Sequence, residues 1–330
     1  MAGDLTDSRW NRRSGLGRIV WPAFIVLLAL LPFIFRATAY ADYLTYVVVR
    51  MMIFGLYAMS YDLLFGFSGI FSFGHAVFLG GGSYLAAIFM SRLGFQDAFP
   101  VMLLALVLGL VLGWIMGFLS SRVGVGAVFL VTFALGEMTQ LICMSNPLGL
   151  TNGENGIAGV VRKTVFGFLN IKPETNFYYF VLIVLGLSYL ALLAITNLPL
   201  GDVFRGLKGN ALRVRFLGYS VRQYQIASFM ISGAFSSLAG VLAVLHERAV
   251  APDIFAWVIS ADAVLFTVVG GPGTLIGPVL GASLVVFFQE VLSDMFRNWI
   301  IFLGLSYIAL IMFLPNGLFP LLKRIWLRRE

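Results

Sequence analysis

The sequence predicts an all-α, polytopic integral membrane protein with about ten transmembrane helices (eight to ten), some broken or re-entrant at glycine-rich points. Three observations carry this. Of 330 residues 60% are hydrophobic and 11% charged, where soluble domains carry about 25% charge. Apolar runs long enough to cross a bilayer, about 17 to 25 residues, recur along the whole chain. Many of the 36 glycines cluster inside or between those runs instead of scattering.

Taken in order, the spans lie near 19–35, 46–66, 72–90, 99–120, 126–145, 177–196, 225–245, 258–272, 275–292 and 299–315. The first follows a basic leader and precedes Ala37-Thr38-Ala39-Tyr40-Ala41, which also fits a cleavable signal peptide. Its length favours a retained span. The organisation is therefore a basic tail over 1–18, a membrane domain over 19–315 and a second basic tail over 316–330. Within the membrane domain lie a long loop over 146–176 and an amphipathic segment over 199–218.

Charge sets the orientation. With the N-terminus inside, the inside segments hold fourteen basic residues against four acids, and the outside loops hold seven of each. That asymmetry follows the positive-inside rule, and an even number of spans returns the C-terminus to the same side. Both termini and the segment 199–218 then face the cytoplasm, and the loop 146–176 faces out.

Composition excludes several functions. The net charge of +7 sits in tails and short loops, so it implies no nucleic-acid partner. A single cysteine, Cys143, excludes an internal disulfide and a cysteine metal site, and two histidines are too few for a histidine-built one. No phosphate-binding P-loop, HExxH or GxSxG pattern occurs. The chain is read as a non-enzyme with no metal and no cofactor of its own.

Three kinds of residue stand out. Gly66, Gly69 and Gly74 form one cluster and Gly270, Gly271 and Gly273 another. Irregular backbone at membrane depth is tolerated only when buried in protein or lining a cavity, so both clusters read as flexible breaks. The series Gly109, Gly113, Gly117 and Gly273, Gly277, Gly281 read as small-residue faces for tight helix packing. Ionisable and polar groups within apolar runs, Asp62, Ser68, Ser72, His75, Glu137 and Asp262, are candidates for a substrate pathway. Arg50 and Glu290 lie in runs as well, with Glu290 read as near water.

The segment 199–218 has apolar positions at helical spacing, Leu200, Val203, Leu207, Ala211, Val214 and Leu217. Arg205, Lys208, Arg213 and Arg215 sit among them. Such a helix grips either a soluble partner or anionic lipid headgroups.

Four ordered motifs carry a resemblance. Residues 61–80, Tyr-Asp-Leu-Leu-Phe-Gly-Phe-Ser-Gly-Ile-Phe-Ser-Phe-Gly-His-Ala-Val-Phe-Leu-Gly, resemble the N-L-L-x-G-x-x-G-x-x-S-x-G-H-A-x-F-x-G signature of branched-chain amino-acid ABC transporter permeases of the LivH/LivM type. Residues 133–137 resemble the T-L-A-F-G-E stretch of that family, 151–157 its T-G-G-x-x-G-I loop, and 268–281 its V-x-G-G-x-G-T-x-x-G-P-x-x-G run. The resemblance spans roughly 45–315 and favours the LivM side.

The resemblance implies a permease subunit of an ABC importer in the cell inner membrane, for branched-chain or related amino acids. It implies a second homologous permease, two cytoplasmic P-loop ATPases that bind the ATP and magnesium, and an extracytoplasmic substrate-binding protein. The segment 199–218 then matches the family's ATPase-coupling stretch, on Gly201, Arg205, Lys208, Asn210, Arg213 and Gly218. Departures occur at Asp202, where arginine is usual, and at Gly209 and Ala211, where glutamates are usual. Asp62 stands where asparagine is common, which admits urea or short amides as substrates. An ion-coupled secondary transporter is the alternative from the residues alone.

Overall fold

In a computed structural model of the chain, the described residues are 28, 30–32, 40–146, 149–295, 301, 304–305 and 317–318. The first and last expected spans and both basic tails lie largely outside them, as does the choice between a retained and a cleaved leader. Nine α-helices run through the described residues, with four strands of two residues each. The helices are α1 Ala41–Asp62, α2 Ala76–Ala87, α3 Ala98–Ser120, α4 Val125–Met144, α5 Glu174–Asn197, α6 Pro199–Phe216, α7 Val221–Glu247, α8 Trp257–Gly270 and α9 Ile276–Met295. A π-helical turn, Leu63–Phe67, continues α1, and a second, Ile88–Arg92, continues α2.

Six helices among the described residues are long and apolar enough to cross a membrane: α1 with its π turn, α3, α4, α5, α7 and α9. The stretches Ala76–Arg92 and Trp257–Gly270 are apolar but shorter. At about 1.5 Å per residue, the 14 residues of α8 reach only about 21 Å, less than the roughly 30 Å of a hydrocarbon core. The polytopic all-α class holds, and both interrupted pairs are broken as expected: α1 from α2 by residues 68–75, α8 from α9 by 271–275.

The core forms around α1 and α7, the most enclosed of the six long helices, and around the short α2. Tyr57, Tyr61, Tyr178 and Phe177 are fully buried in it, and Phe78 is fully buried in a second cluster with Leu64 and Phe229. Helices of a membrane protein gain little from apolar contact alone, since lipid is equally apolar, so close backbone approach and interhelical hydrogen bonds do the joining. Gly109 and Gly113 of α3 face Gly233 and Phe229 of α7 so closely that a Cβ at either would stand well under 3.0 Å from a backbone carbonyl. Gly82 of α2 meets Ser237 of α7, and Gly240 of α7 meets Leu79 of α2, in the same way. Serines complete the seams: Ser237 Oγ donates to Phe78 O at 2.9 Å, Ser83 Oγ to Gly240 O at 2.8 Å and Ser232 Oγ to Ser60 O at 2.7 Å.

The second small-residue series is not one helix face. Gly273 lies before α9 with φ +85, in a conformation that L side chains rarely adopt. Gly277 and Gly281 are on α9 and pack against the Gly270 and Phe266 backbone of α8. The correction follows from the turn: the chain must reverse between α8 and α9, and the Gly-Gly-Pro-Gly sequence supplies the reversal.

The described part of the loop 146–176 is folded. Strand β1 (Ile157–Ala158) pairs antiparallel with β4 (Ala249–Val250), just after α7, and β2 (Thr164–Val165) pairs with β3 (Leu169–Asn170). Asn146 Oδ1 accepts from the backbone of Thr151 at 3.1 Å and Asn152 at 2.9 Å, curling the loop entrance. Glu174 at the start of α5 pairs with Arg162 from the loop and with Arg248 at 2.9 Å from beside β4.

Candidate functional site

The two glycine breaks, about two hundred residues apart in sequence, lie against each other. A Cβ on Gly66 would stand well under 3.0 Å from both Asp62 Oδ1 and the Gly273 nitrogen. Asp62, at the end of α1, is fully buried. Its Oδ1 accepts from Gly273 N at 2.6 Å and its Oδ2 from Leu275 N at 2.9 Å. These are donors at the entrance to α9, where unpaired N–H groups and the helix dipole favour an anion. Asp62 therefore closes the start of α9 from a different helix, a capping role whose partner its sequence position did not reveal.

The other pathway candidates divide. Ser68 is buried, its Oγ donating to Leu63 O at 3.2 Å. Ser72 is buried too, with its carbonyl accepting from Tyr61 Oη at 3.2 Å. His75 is fully buried among Tyr57, Tyr61 and Phe78, at ring-centroid distances of 5.1, 5.0 and 5.3 Å. Its Nε2 lies 3.0 Å from Ser60 Oγ, and its Nδ1 has no hydrogen-bond partner. These three sit inside the core and brace the first break.

Glu137 on α4 is half-buried, and its Oε1 is enclosed without a hydrogen-bond partner. It follows Phe129 and Phe133 at successive four-residue steps along α4. Phe129 stacks at 5.8 Å on Phe71 and contacts Phe73 at 4.9 Å, so a row of rings joins the first break to α4. Thr132 fixes the same junction, its Oγ1 accepting from Phe73 N at 3.1 Å. Asp262 on α8 is half-buried within electrostatic reach of Arg50. Asp262 also lies within electrostatic reach of Tyr57, whose ring centroid is 5.1 Å from that of His75.

One polar network escaped the sequence reading. Arg50 on α1 pairs with Glu290 on α9 and stands 4.0 Å from Glu247 on α7, which also accepts from Tyr46 Oη at 3.0 and 3.1 Å. Glu290 is 15% exposed, so it sits inside an ion pair and not in water as expected. The signal was available in part: a lone basic residue in an apolar run needs an acid, and Glu290 is an acid in another run.

The segment expected as a single helix over 199–218 is α6, with an extended residue, Asn210 (φ −165, ψ 103), inside it. Asn210 Oδ1 accepts from Arg213 N at 3.1 Å, which starts a second helical piece. Pro199 occupies the first turn, where its missing N–H costs nothing. Gly201 packs against the Thr196 carbonyl and tightens the turn from α5. Gly218, with φ +89, follows the end.

The coupling candidates face two ways. Arg205 turns back on the bundle, its Nη2 donating to Thr196 O at 2.8 Å, its guanidinium 5.3 Å from the Phe67 ring centroid and its Nη1 3.0 Å from Asp202. Lys208 also turns inward: its Nζ donates to Gly66 O at 2.7 Å. Beyond the kink the surface changes. Leu212, Phe216 and Leu217 are 64%, 88% and 70% exposed, with Arg213 and Arg215 exposed between them.

A family model described as branched-chain amino acid transport system / permease component matches residues 43–314. The high-affinity branched-chain amino acid transport system permease protein LivM of Escherichia coli K12 is 27% identical over 296 residues, covering 82% of this chain and 69% of its own length. LivM of Salmonella typhimurium LT2 gives the same identity and coverage. A probable branched-chain amino acid transport permease protein LivM of Methanocaldococcus jannaschii is 25% identical over 208 residues, covering 57% of this chain and 58% of its own. No solved structure gives a significant match.

Proposed function

This chain belongs to the branched-chain amino acid transport permease family, and on that footing we propose that it forms half of the pathway of an ABC importer, beside a second permease and driven by two cytoplasmic ATPases. The observation that carries the ATPase reading is the outer part of α6. It presents Leu212, Phe216 and Leu217 bare, between two arginines, on a segment joined tightly to α5 and α7. Exposed apolar side chains clustered on a polar segment mark an interaction surface. The charge asymmetry of the sequence supports an orientation with α6 and both termini on the cytoplasmic side and the loop 146–176 outside, where a binding protein would dock.

The substrate is a branched-chain or related amino acid. The ring row through Phe71, Phe129 and Phe133, ending at Glu137, supplies apolar contact and an unpartnered carboxylate for an ammonium group. The argument for urea or short amides rested on Asp62 as an acid in the pathway. It loses its support, because both Asp62 oxygens accept backbone hydrogen bonds. A secondary transporter leaves the bare face of α6 without a use.

The test is purification of the tagged chain from mild detergent. Recovery of a P-loop ATPase with the unaltered chain, and its loss from Phe216→Asp with Leu212→Asp, is the expected result. A chain that purifies alone and transports leucine in vesicles without ATP overturns the proposal. Glu137→Gln should then weaken leucine uptake while the ATPase stays bound.

A further inference from the structure

Two helix ends meet where the breaks touch, and each is closed by a charge from another element. In the π-helical turn after α1 the Leu63, Leu64 and Phe65 carbonyls accept from the Ser68, Ile70 and Gly69 nitrogens, which leaves Gly66 O to a partner from elsewhere, and a helix C-terminus carries partial negative charge. The ammonium of Lys208, from α6, sits on Gly66 O at 2.7 Å. The start of α9 carries partial positive charge, and Asp62, from α1, accepts from its Gly273 and Leu275 nitrogens at 2.6 and 2.9 Å. The two closures share one pivot, since Gly66 abuts the Asp62 carboxylate too closely to admit a Cβ. The backbone itself leans in: at Gly69, with φ +71, a Cβ would stand 3.0 Å from Lys208 Cα.

We propose that Lys208 is a positioning residue that ties α6 to the start of α9 through Gly66 and Asp62, so that a displacement of α6 reaches both glycine breaks at once. This rests on α6 as the ATPase-facing segment. Among the inward-turned cations of α6, Lys208 fills this role and Arg205 does not. Arg205 donates to Thr196 O of α5 and to Asp202 of α6 itself, and meets the π turn over the face of the Phe67 ring, 5.3 Å from its centroid. Lys208 instead bridges to a helix 142 positions earlier in the chain, whose end touches α9. The line runs from one hydrogen bond at Lys208, through the packed Gly66–Asp62 contact, to two hydrogen bonds at the start of α9.

The experiment uses the complete transporter, with second permease, ATPases and binding protein, in proteoliposomes. Bound ATPase, ATP hydrolysis and leucine uptake are measured on the same preparation for Lys208→Met, Lys208→Arg and Asp62→Asn. In Lys208→Met the ATPase stays bound and hydrolyses ATP, while leucine moved per ATP falls about tenfold, the size of an ordinary coupling between two sites. Lys208→Arg, which keeps a cation, recovers most of that ratio. Asp62→Asn loses it as Lys208→Met does, because an amide gives up one of the two acceptors. If Lys208→Met does not reach the membrane, Lys208→Gln is read in its place.

A ratio within twofold of the unaltered chain overturns the proposal. So does equal loss in the Met and Arg variants, because charge is then not what matters. Loss of bound ATPase from Lys208→Met overturns it differently, by moving the residue to the docking face. Failure of the unaltered chain to retain an ATPase defeats the importer reading itself, and is seen before any variant is made.

Discussion

Gly66 and Gly273 lie backbone to backbone: a Cβ added to Gly66 would stand well under 3.0 Å from the Gly273 nitrogen, and one added to Gly273 would stand 3.2 Å from Gly66 O. Neither residue tolerates a side chain where it sits. The first break is therefore as much a contact surface as a hinge.

Gly66→Ala is expected to destabilise the chain by about 1–3 kcal/mol, the range for overpacking a close-packed site. The Asp62 carboxylate and the Gly273 backbone would both have to move. Gly126→Ala is the control, since a Cβ at Gly126 meets nothing within 4 Å. In a helix it should be neutral or stabilising, by about 0.5–1 kcal/mol. Thermal unfolding in detergent, followed by size exclusion, should place the two Tm values on opposite sides of the parent.

Asp62→Ala removes the acceptor for two backbone N–H groups in a buried place. Each orphaned donor costs about 1–3 kcal/mol. The loss should fall first on the start of α9, so amide hydrogen exchange should quicken at Gly273, Leu275 and the next turn while α3 and α7 keep their protection. Uniform loss of protection would mean that Asp62 supports the whole bundle.

Arg50→Met leaves Glu290 as an uncompensated acid at 15% exposure. Breaking a buried pair costs about 3–5 kcal/mol, but Arg50 is 35% exposed, so about 1–3 kcal/mol is expected. Adding Glu290→Gln to Arg50→Met should restore part of the lost Tm. Additive losses in that double-mutant cycle would show that the pair does not act as a pair.

Asn210→Ala removes the side-chain cap that restarts α6 after its kink. A lost N-cap costs about 1 kcal/mol, so exchange at the Arg213 amide should quicken about fivefold. The piece before the kink, pinned by Thr196 and Asp202, should not change.

The membrane spans were legible because apolar runs of bilayer length have few other uses. The expected runs 46–66, 99–120 and 126–145 agree with α1, α3 and α4 within a few residues at each end. The α3–α7 seam was half legible: Gly109, Gly113 and Gly117 announced a close face, but not the helix that fills it. Asp62 and Lys208 were found as residues, but not what they touch. Their partners are backbone groups, Gly66 O and the Gly273 and Leu275 nitrogens, and a backbone group leaves no mark in a residue pattern. The folded loop 146–176 escaped because strands of two residues are too short for a period of two to show.

The α3–α7 seam also fixes an order of events in time. Its two faces are separated by the synthesis of α4, α5 and α6, about 130 residues from the end of α3 to the end of α7. At about 5–20 residues per second, α3 waits on the order of ten seconds with its glycine stripe facing lipid or a helper protein. The membrane therefore holds a half-built bundle, still tethered to the ribosome, before the helix that completes it arrives. Nascent chains stopped before Glu247 should be degraded sooner than those stopped just after it.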